Sequence, residues 1–398
     1  MAVYKLFPTQ DSTIYSLFPQ MNTGLDEIVE ATLTTFAYSD PNPQTSRFLI
    51  NFSETEIDDV LENKIGISSS TQLLDNNLWR ANLQCFVATV TGLNNDTTVE
   101  CYPVAGEWGM GTGRYLDDPI STDGTSWYWQ NYSGSTLWPT TYVSLPNRTG
   151  SYTGSGTSNE QNPYAGGGVW WTGSLYPDSL NSDTYPISAS VTFGFYENKD
   201  LNFNITNAIR ARYTGAISAD GFIIKQETEF INNKNIQPEL KYFSRDTNTI
   251  YPPALQFSWR DYIFNTGSST QTILNTLPAT LNLAQNPGVF YSQSINRFRL
   301  NARPEFPIQL WTTSSVYLNN YYLPTASYYA IKDLETNEFV VEFDTLFTQI
   351  SADATSSYFD VYMNGLEPER YYAILIKSNI AGTTQVFDNQ YYFKVING

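Results

Sequence analysis

What most constrains this chain is a short alternation repeated along most of its length. Runs such as "SRFLINF" (46–52), "ANLQCFVATV" (81–90), "TTVECYPV" (97–104), "SASVTFGF" (188–195), "DGFIIKQE" (220–227), "ELKYFS" (239–244) and "PALQFSW" (253–259) are rich in Val, Ile, Thr, Tyr and Phe, with Gly, Asn, Asp or Pro at their borders. Apolar and polar positions trade places at period two, the pattern of a half-buried strand. The expectation is an all-β fold. The opening stretch "DSTIYSLFPQMNTGLDEIVEA" (11–31) reads as two strands joined by a Gly-marked turn. Helical spacing is confined to "SETEIDDVLENK" (53–64), with Ser53 and Glu56 as a capping box, and to "DLNFNITNAIRARYTG" (200–215) ahead of Gly215.

At 398 residues the chain exceeds the roughly 250–300 at which single cores stop growing. A small-polar join at 263–280 separates a first β domain over 1–262 from a second over 281–398. The second carries "RFRLNA", "PIQLWTT" (307–313), "ASYYAIKDLE", "FVVEFD", "SYFDVYMNG", "RYYAILIKSN" and "QYYFKVI". So many short strands in so short a span suit an immunoglobulin-like β-sandwich.

Histidine is absent, which removes Ser-His-Asp and Cys-His nucleophiles and His-ligated zinc or iron. A formal charge of −18, with the basic residues scattered, disfavours a phosphate backbone, so nucleic acid is not an expected partner. No apolar run is long enough to span a bilayer, and "MAVYKLFPTQ" lacks the apolar region of a secretory signal, so a soluble protein with no membrane partner, made in a cytoplasm, is expected. Two cysteines cannot organise the fold. A hairpin turning near Leu93 would set Cys85 opposite Cys101, and buried reduced thiols are the simpler reading of the pair.

Between about 105 and 187 the texture shifts to Gly, Ser, Thr, Asn, Tyr and Trp, and the segment holds Trp108, Trp127, Trp129, Trp138, Trp170 and Trp171 of nine tryptophans. A stretch of this length is either a large ordered insertion or an interaction surface. In "SWYWQNY" (126–132), period two puts Trp127 and Trp129 on one face. Exposed together with Trp138, Trp170 and Trp171 they would form an aromatic contact surface, for protein partners first and for glycan as the alternative. The doubled acids "LDEI" (25–28), "IDDV" (57–60) and "LDDP" (116–119) are neighbours on opposite strand faces, unlike the facing pair that a glycosidase requires. No catalytic residue is assigned. No cofactor is expected beyond a structural Ca²⁺, for which Asp11, Asn22 and Asp26 are the candidate oxygen ligands.

In order along the chain, "DSTIYS", "NTGLDEIVEA", "SRFLINF", "ANLQCFVATV…TTVECYPVAGEWG", "DGFIIKQ", "LKYFSRD" and "PPALQFSW" resemble the disaggregatase-related, DNRLRE-type modules over roughly residues 3 to 260. That resemblance implies a jelly-roll β-sandwich similar to carbohydrate-binding modules, with Asp11, Asn22 to Gly24, Arg47, Glu107 to Trp108 and Pro253 at the family's positions. The long insertion and the loop "QETEFINNKNIQPE" (226–239) depart from it. "NGLEPERYYAILIKSN" (364–379) resembles the corner of fibronectin type III and immunoglobulin-like domains, which implies a structural hydroxyl at Tyr371 or Tyr372. The two domains and the acidic, Asn/Tyr/Thr-rich texture together resemble virion structural proteins of tailed bacteriophages, marine myovirus-like ones in particular. The implied role is non-enzymatic assembly in a neck, tail, baseplate or capsid decoration, beside other virion proteins and copies of the same chain. The alternative is an adhesin that holds host-surface glycan through the 105–187 segment.

Overall fold

A computed structural model describes residues 2–34, 44–138, 144–146, 151–155, 166–175, 185–227, 238–284, 286–307 and 320–398. The fold is all-β and of the β-sandwich class, as the alternation requires. It divides into two compact units, one of Leu6–Asp75 and Arg80–Gln256, the other of Met1–Lys5, Asn76–Trp79 and Phe257–Gly398. Residues 263–280 are therefore no linker. Leu274 is part of the second unit's core, and Phe264 bridges to Ala352. The second unit also recruits earlier residues, because their rings have partners there: Tyr4 lies edge-on to Tyr362 at 5.8 Å, Trp259 meets the same ring at 5.3 Å, and Trp79 stacks on Phe257 at 6.4 Å.

In the first unit the larger sheet runs in the order Ala189–Phe193, Thr97–Pro103, Phe222–Gln226, Gln44–Asn51, Ile28–Thr34, Glu239–Phe243, Val87–Thr91, with Gln10–Tyr15 also paired to Gln44–Asn51. A smaller sheet pairs Leu201–Asn204 antiparallel with the strand Trp79–Cys85 through Asn82 to Cys85. Alternation sorts the faces: Val29, Ala31, Leu33, Leu240 and Tyr242 point inward, while Glu30, Thr32, Glu239 and Lys241 point out.

Two local pairings expected from the sequence are replaced by long-range ones. The strands Gln10–Tyr15 and Ile28–Thr34 both form, but not as a hairpin: the first lies against Gln44–Asn51 and the second against Glu239–Phe243. The run 81–90 breaks at Phe86, where the Val87 N–H is taken by Asp200 Oδ1 at 2.8 Å and the Phe86 carbonyl by the Phe243 N–H. Cys85 consequently pairs with Leu201 in the smaller sheet, and Cys101 lies between Ala189 and Ile224 in the larger. Both thiols are free and buried.

The helix expected over 53–64 forms, whereas of the stretch 200–215 only Thr206–Tyr213 is helical, because Leu201–Asn204 is taken up as a strand beside residues 82–85. Ser53 caps Glu54–Asp59 by accepting the Glu56 N–H, and the chain continues as a wider π turn over Val60–Ile65 to Gly66. Thr206–Tyr213 buries Arg210, whose Nε donates to the Leu73 carbonyl at 2.7 Å. Its Arg212 pairs with Glu54 and Asp58 of the first helix. The short helix Ser70–Leu74 carries too little apolar periodicity to be read in advance.

The second unit packs the sheet Ala279–Leu283, Ile295–Pro304, Ser357–Tyr362, Ser351–Ala352 with the sheet Val289–Tyr291, Thr383–Ile396, Tyr371–Ile380, Ser327–Asp333, Phe339–Val341. Its core is aromatic: Phe359 stacks on Tyr329 at 4.2 Å and on Phe298 at 5.5 Å. The strand expected over 307–313 lies outside the described residues, apart from Pro307.

The corner hydroxyl is that of Tyr372, which is buried and donates to the Glu367 carbonyl at 2.9 Å, whereas Tyr371 is 52% exposed. Tyr372→Phe removes a buried hydrogen bond and is expected to cost about 1 kcal/mol, against near zero for Tyr371→Phe. Thermal unfolding of the two variants side by side measures the difference.

Candidate functional site

The 105–187 segment is an ordered insertion wherever it is described, and its tryptophans turn inward. Trp108, Trp127, Trp138 and Trp170 pack with Ile14, Leu49, Val104 and Ile223, each at most 4% exposed. Trp171 joins Ile187, Ala211 and Ile217 in a second cluster. Of the expected contact surface of Trp127, Trp129, Trp138, Trp170 and Trp171, all but Trp129 are thus corrected to core. Trp127 also precedes the strand Trp129–Asn131, so period two never applies to it, and only Trp129 stays half-buried, edge-on to Tyr132 at 5.1 Å. Three indole N–H groups are satisfied from within, Trp108 donating to the Asp220 carbonyl, Trp138 to the Ser126 carbonyl and Trp171 to the Ser218 hydroxyl, while the buried indole N–H of Trp127 has no hydrogen-bond acceptor among the described residues.

What draws the insertion inward is Arg47, on the strand Gln44–Asn51 and 1% exposed. Its guanidinium lies 4.9 Å from the Trp127 ring and 5.2 Å from the Trp170 ring, and donates to the Gly167 carbonyl. Lys225, 5.9 Å from the Trp170 ring, is paired with Glu100 at 2.6 Å. Gly167 sits at φ +84°, and a Cβ there would fall 2.7 Å from the Trp127 ring and 2.8 Å from the arginine. Glycine is what allows the backbone so close to both.

Asp11, Asn22 and Asp26 do not converge as a calcium site. Asn22 donates to the Met110 and Thr125 carbonyls at 2.7 and 2.8 Å, and its Oδ1 accepts the Gly24 and Gly113 N–H groups. Asp26 accepts the Tyr115 N–H, and Asp11 the Arg245 N–H at 2.6 Å. Among the described residues no group of three His, Cys, Asp or Glu side chains is placed to hold a metal ion. These three residues instead fasten the insertion and the 244–246 turn to the sandwich. The doubled acids are also engaged: Asp59 with Lys64, Asp58 with Arg212, Asp117 with the Arg114 N–H and Glu27 with Asn248.

An exposed aromatic pair lies elsewhere, in the turn after Ala189–Phe193. The run 188–195 reads as continuous strand, yet pairing stops at Phe193, and Gly194 opens a turn whose N–H is bound by Glu197 Oε2 at 2.8 Å. Lys199 donates to the Phe195 and Glu197 carbonyls, and the Asp200 N–H is held by Asn198. This internally bonded turn presents Phe195 and Tyr196, 65% and 97% exposed, edge to face at 5.1 Å. The Gly194 and Asn198 to Asp200 positions, residue types typical of turns, are the sequence signal for it.

The chain matches no protein-family model, and no curated protein and no solved structure is significantly similar to it. No helix among the described residues is long and apolar enough to cross a membrane.

Burial pushes the Asp11 carboxyl up to about 7, against the Arg245 N–H that favours its charged form. The folded chain therefore keeps a proton that the unfolded chain releases near pH 4, and this contribution to stability is lost as pH rises through 7. Asp11→Asn retains an oxygen for the Arg245 N–H. It is expected to flatten the profile between pH 4 and 7 and to raise Tm at pH 8 by ~2–4 °C for each kcal/mol recovered. Melting curves of the two proteins at pH 5 and pH 8 measure it.

Proposed function

We propose that this chain is a non-enzymatic structural protein of a tailed-phage particle, placed in the neck, tail or baseplate or decorating the capsid. It acts through contacts with other virion proteins and with copies of itself. The observation that carries the assembly reading is the Phe195–Tyr196 turn. Two aromatic rings stand in water on a turn already fixed by its own hydrogen bonds. Burying such rings against a partner is worth ~1.5–3 kcal/mol each, and a preformed turn loses little entropy on docking. Aromatic anchors of this kind dominate protein interfaces. The charge of −18 keeps unassembled copies apart in solution. The virion placement is supported by the resemblance of the paired sandwiches and the acidic Asn/Tyr/Thr-rich texture to phage structural proteins.

Antibody-gold labelling of intact particles, purified from cells that produce this chain during phage growth, tests the reading. Gold at one fixed, symmetric position is the expected result, and unlabelled particles would overturn it. A Phe195→Ser, Tyr196→Ser double variant is expected to fold with unchanged Tm, since neither ring supports the core, and to stay in the soluble fraction instead of joining particles.

A further inference from the structure

The outward face of the five-stranded sheet in the second unit departs from the alternation seen elsewhere in the chain. A sheet with one face on a core shows mainly polar side chains to water on the other. Here the outward positions are aromatic and aliphatic, with lysines set among them. Register lays them in rows: Lys332 stands between Phe339 and Ala373, Lys394 between Tyr371 and Val289, and Lys377 between Tyr328 and Val386. Ala330, Ala373 and Leu375 are buried with Phe343 packed on them. Val289, Phe339, Tyr371, Val386 and Tyr392, in contrast, are 43% to 53% exposed. Contiguous exposed apolar surface of this kind marks a contact site.

Each lysine lies over an aromatic ring: Lys332 is 5.8 Å from Phe339, Lys377 4.7 Å from Phe343 and Lys394 5.8 Å from Tyr371. Lys394 is paired with Glu369, whereas among the described residues no carboxylate lies within ion-pair distance of Lys332 or Lys377. This unit is also the less acidic one. Residues 1–5, 76–79 and 257–398 carry nine Lys and Arg against twelve Asp and Glu, a formal −3 of the chain's −18, so the first unit carries the other −15.

The Phe195–Tyr196 turn of the first unit has the complementary chemistry. Glu197 and Asp200 belong to it, and Asp96 reaches it, since a Cβ at Gly194 would fall 2.7 Å from Asp96 Oδ1. Asp96 and Glu197 are exposed, while Lys199, the cation of the turn, is occupied by the Phe195 and Glu197 carbonyls. The two rings can lie among Phe339, Tyr371 and Tyr392 as the carboxylates approach Lys332 and Lys377. Each side supplies what the other lacks. A phosphate backbone would meet three lysines on a chain of net charge −18. A wholly apolar partner would strip water from the ammonium groups without replacing it.

We infer that the outward face of this sheet is the docking site for the Phe195–Tyr196 turn of a second copy of the chain. The inference rests on the reading of that turn as an assembly contact and supplies its receptor. Because turn and face are different surfaces, the contact runs head to tail, and successive copies close into a ring or extend as a filament.

Sedimentation velocity of the full chain at ~0.15 M salt, where charges more than ~8 Å apart are screened, tests it with two variants. One removes the rings of the turn, Phe195→Ser with Tyr196→Ser, and the other reverses the face, Lys332→Glu with Lys377→Glu. Wild type is expected to associate with a Kd of ~100 μM or tighter, and each variant alone at least about tenfold more weakly with unchanged Tm. Mixed one to one, the variants still hold one intact turn and one intact face between them, so a dimer that grows no further is expected. Lys332→Gln with Lys377→Gln introduces no new charge; it should weaken association less than the reversal does, and it replaces the reversal if that variant melts early. Wild type monomeric at ~100 μM, undiminished association in the face variants, or a mixture that stays monomeric would overturn the inference. A monomeric chain on gold-labelled particles would leave the virion placement standing with another protein as the partner of the turn, and a head-to-tail oligomer with unlabelled particles would do the reverse.

Discussion

A guanidinium buried in the middle of a sheet must be paired, because an unpaired charge out of water costs far more than a single fold can spare. Arg47 meets this constraint with two indole rings and a backbone carbonyl, all supplied by the insertion. Leu49, on the same strand as Arg47, shares its core with Trp127 and Trp170. Among the described residues, Trp108, Trp127, Trp138 and Trp170 of the insertion are packed against Ile14, Leu49 and Ile223 of the sheet beneath it. That shared packing explains a Gly-rich run in the midst of tryptophans: "AGGGVWW" is the segment where backbone and rings approach one cation together.

The consequences reach the surface. Because Trp127 and Trp170 are committed to Arg47, they are not available to partners. Asn22 and Asp26 then fasten the outer part of the insertion by direct hydrogen bonds to its backbone. The same fastening brings Tyr115 over the outward face of Glu30 and Lys241. Core formation and the shaping of a cleft are thus successive results of one clamp.

Strand positions were legible in the sequence because period two is local: a half-buried strand displays its own two faces. Which strands pair was not, since pairing is decided by residues far apart, as the separation of 10–15 from 28–34 and the break at Phe86 show. The tryptophans were visible as a group, but their direction was not, because an aromatic residue suits a core and a surface equally well. Direction was set by Arg47, one arginine in a strand that reads as ordinary. Asp11, Asn22 and Asp26, read from the sequence as oxygen ligands for calcium, instead bind backbone N–H and carbonyl groups. The cleft on the outer face of the larger sheet was hidden for the most physical of reasons: Tyr15, Glu30, Tyr115 and the pair Glu239 and Lys241 come from four separate stretches of chain.

The separation of the two cysteines into different sheets has a practical side. Each is sealed in the core, and burial pushes both thiols toward higher pKa and so away from the reactive thiolate. The folded protein therefore offers a thiol-directed reagent no native target. A cysteine introduced by Tyr196→Cys, at the tip of the exposed turn, would be the sole point of attachment for a fluorophore, a spin label or a crosslinker, with no need to delete either native residue first.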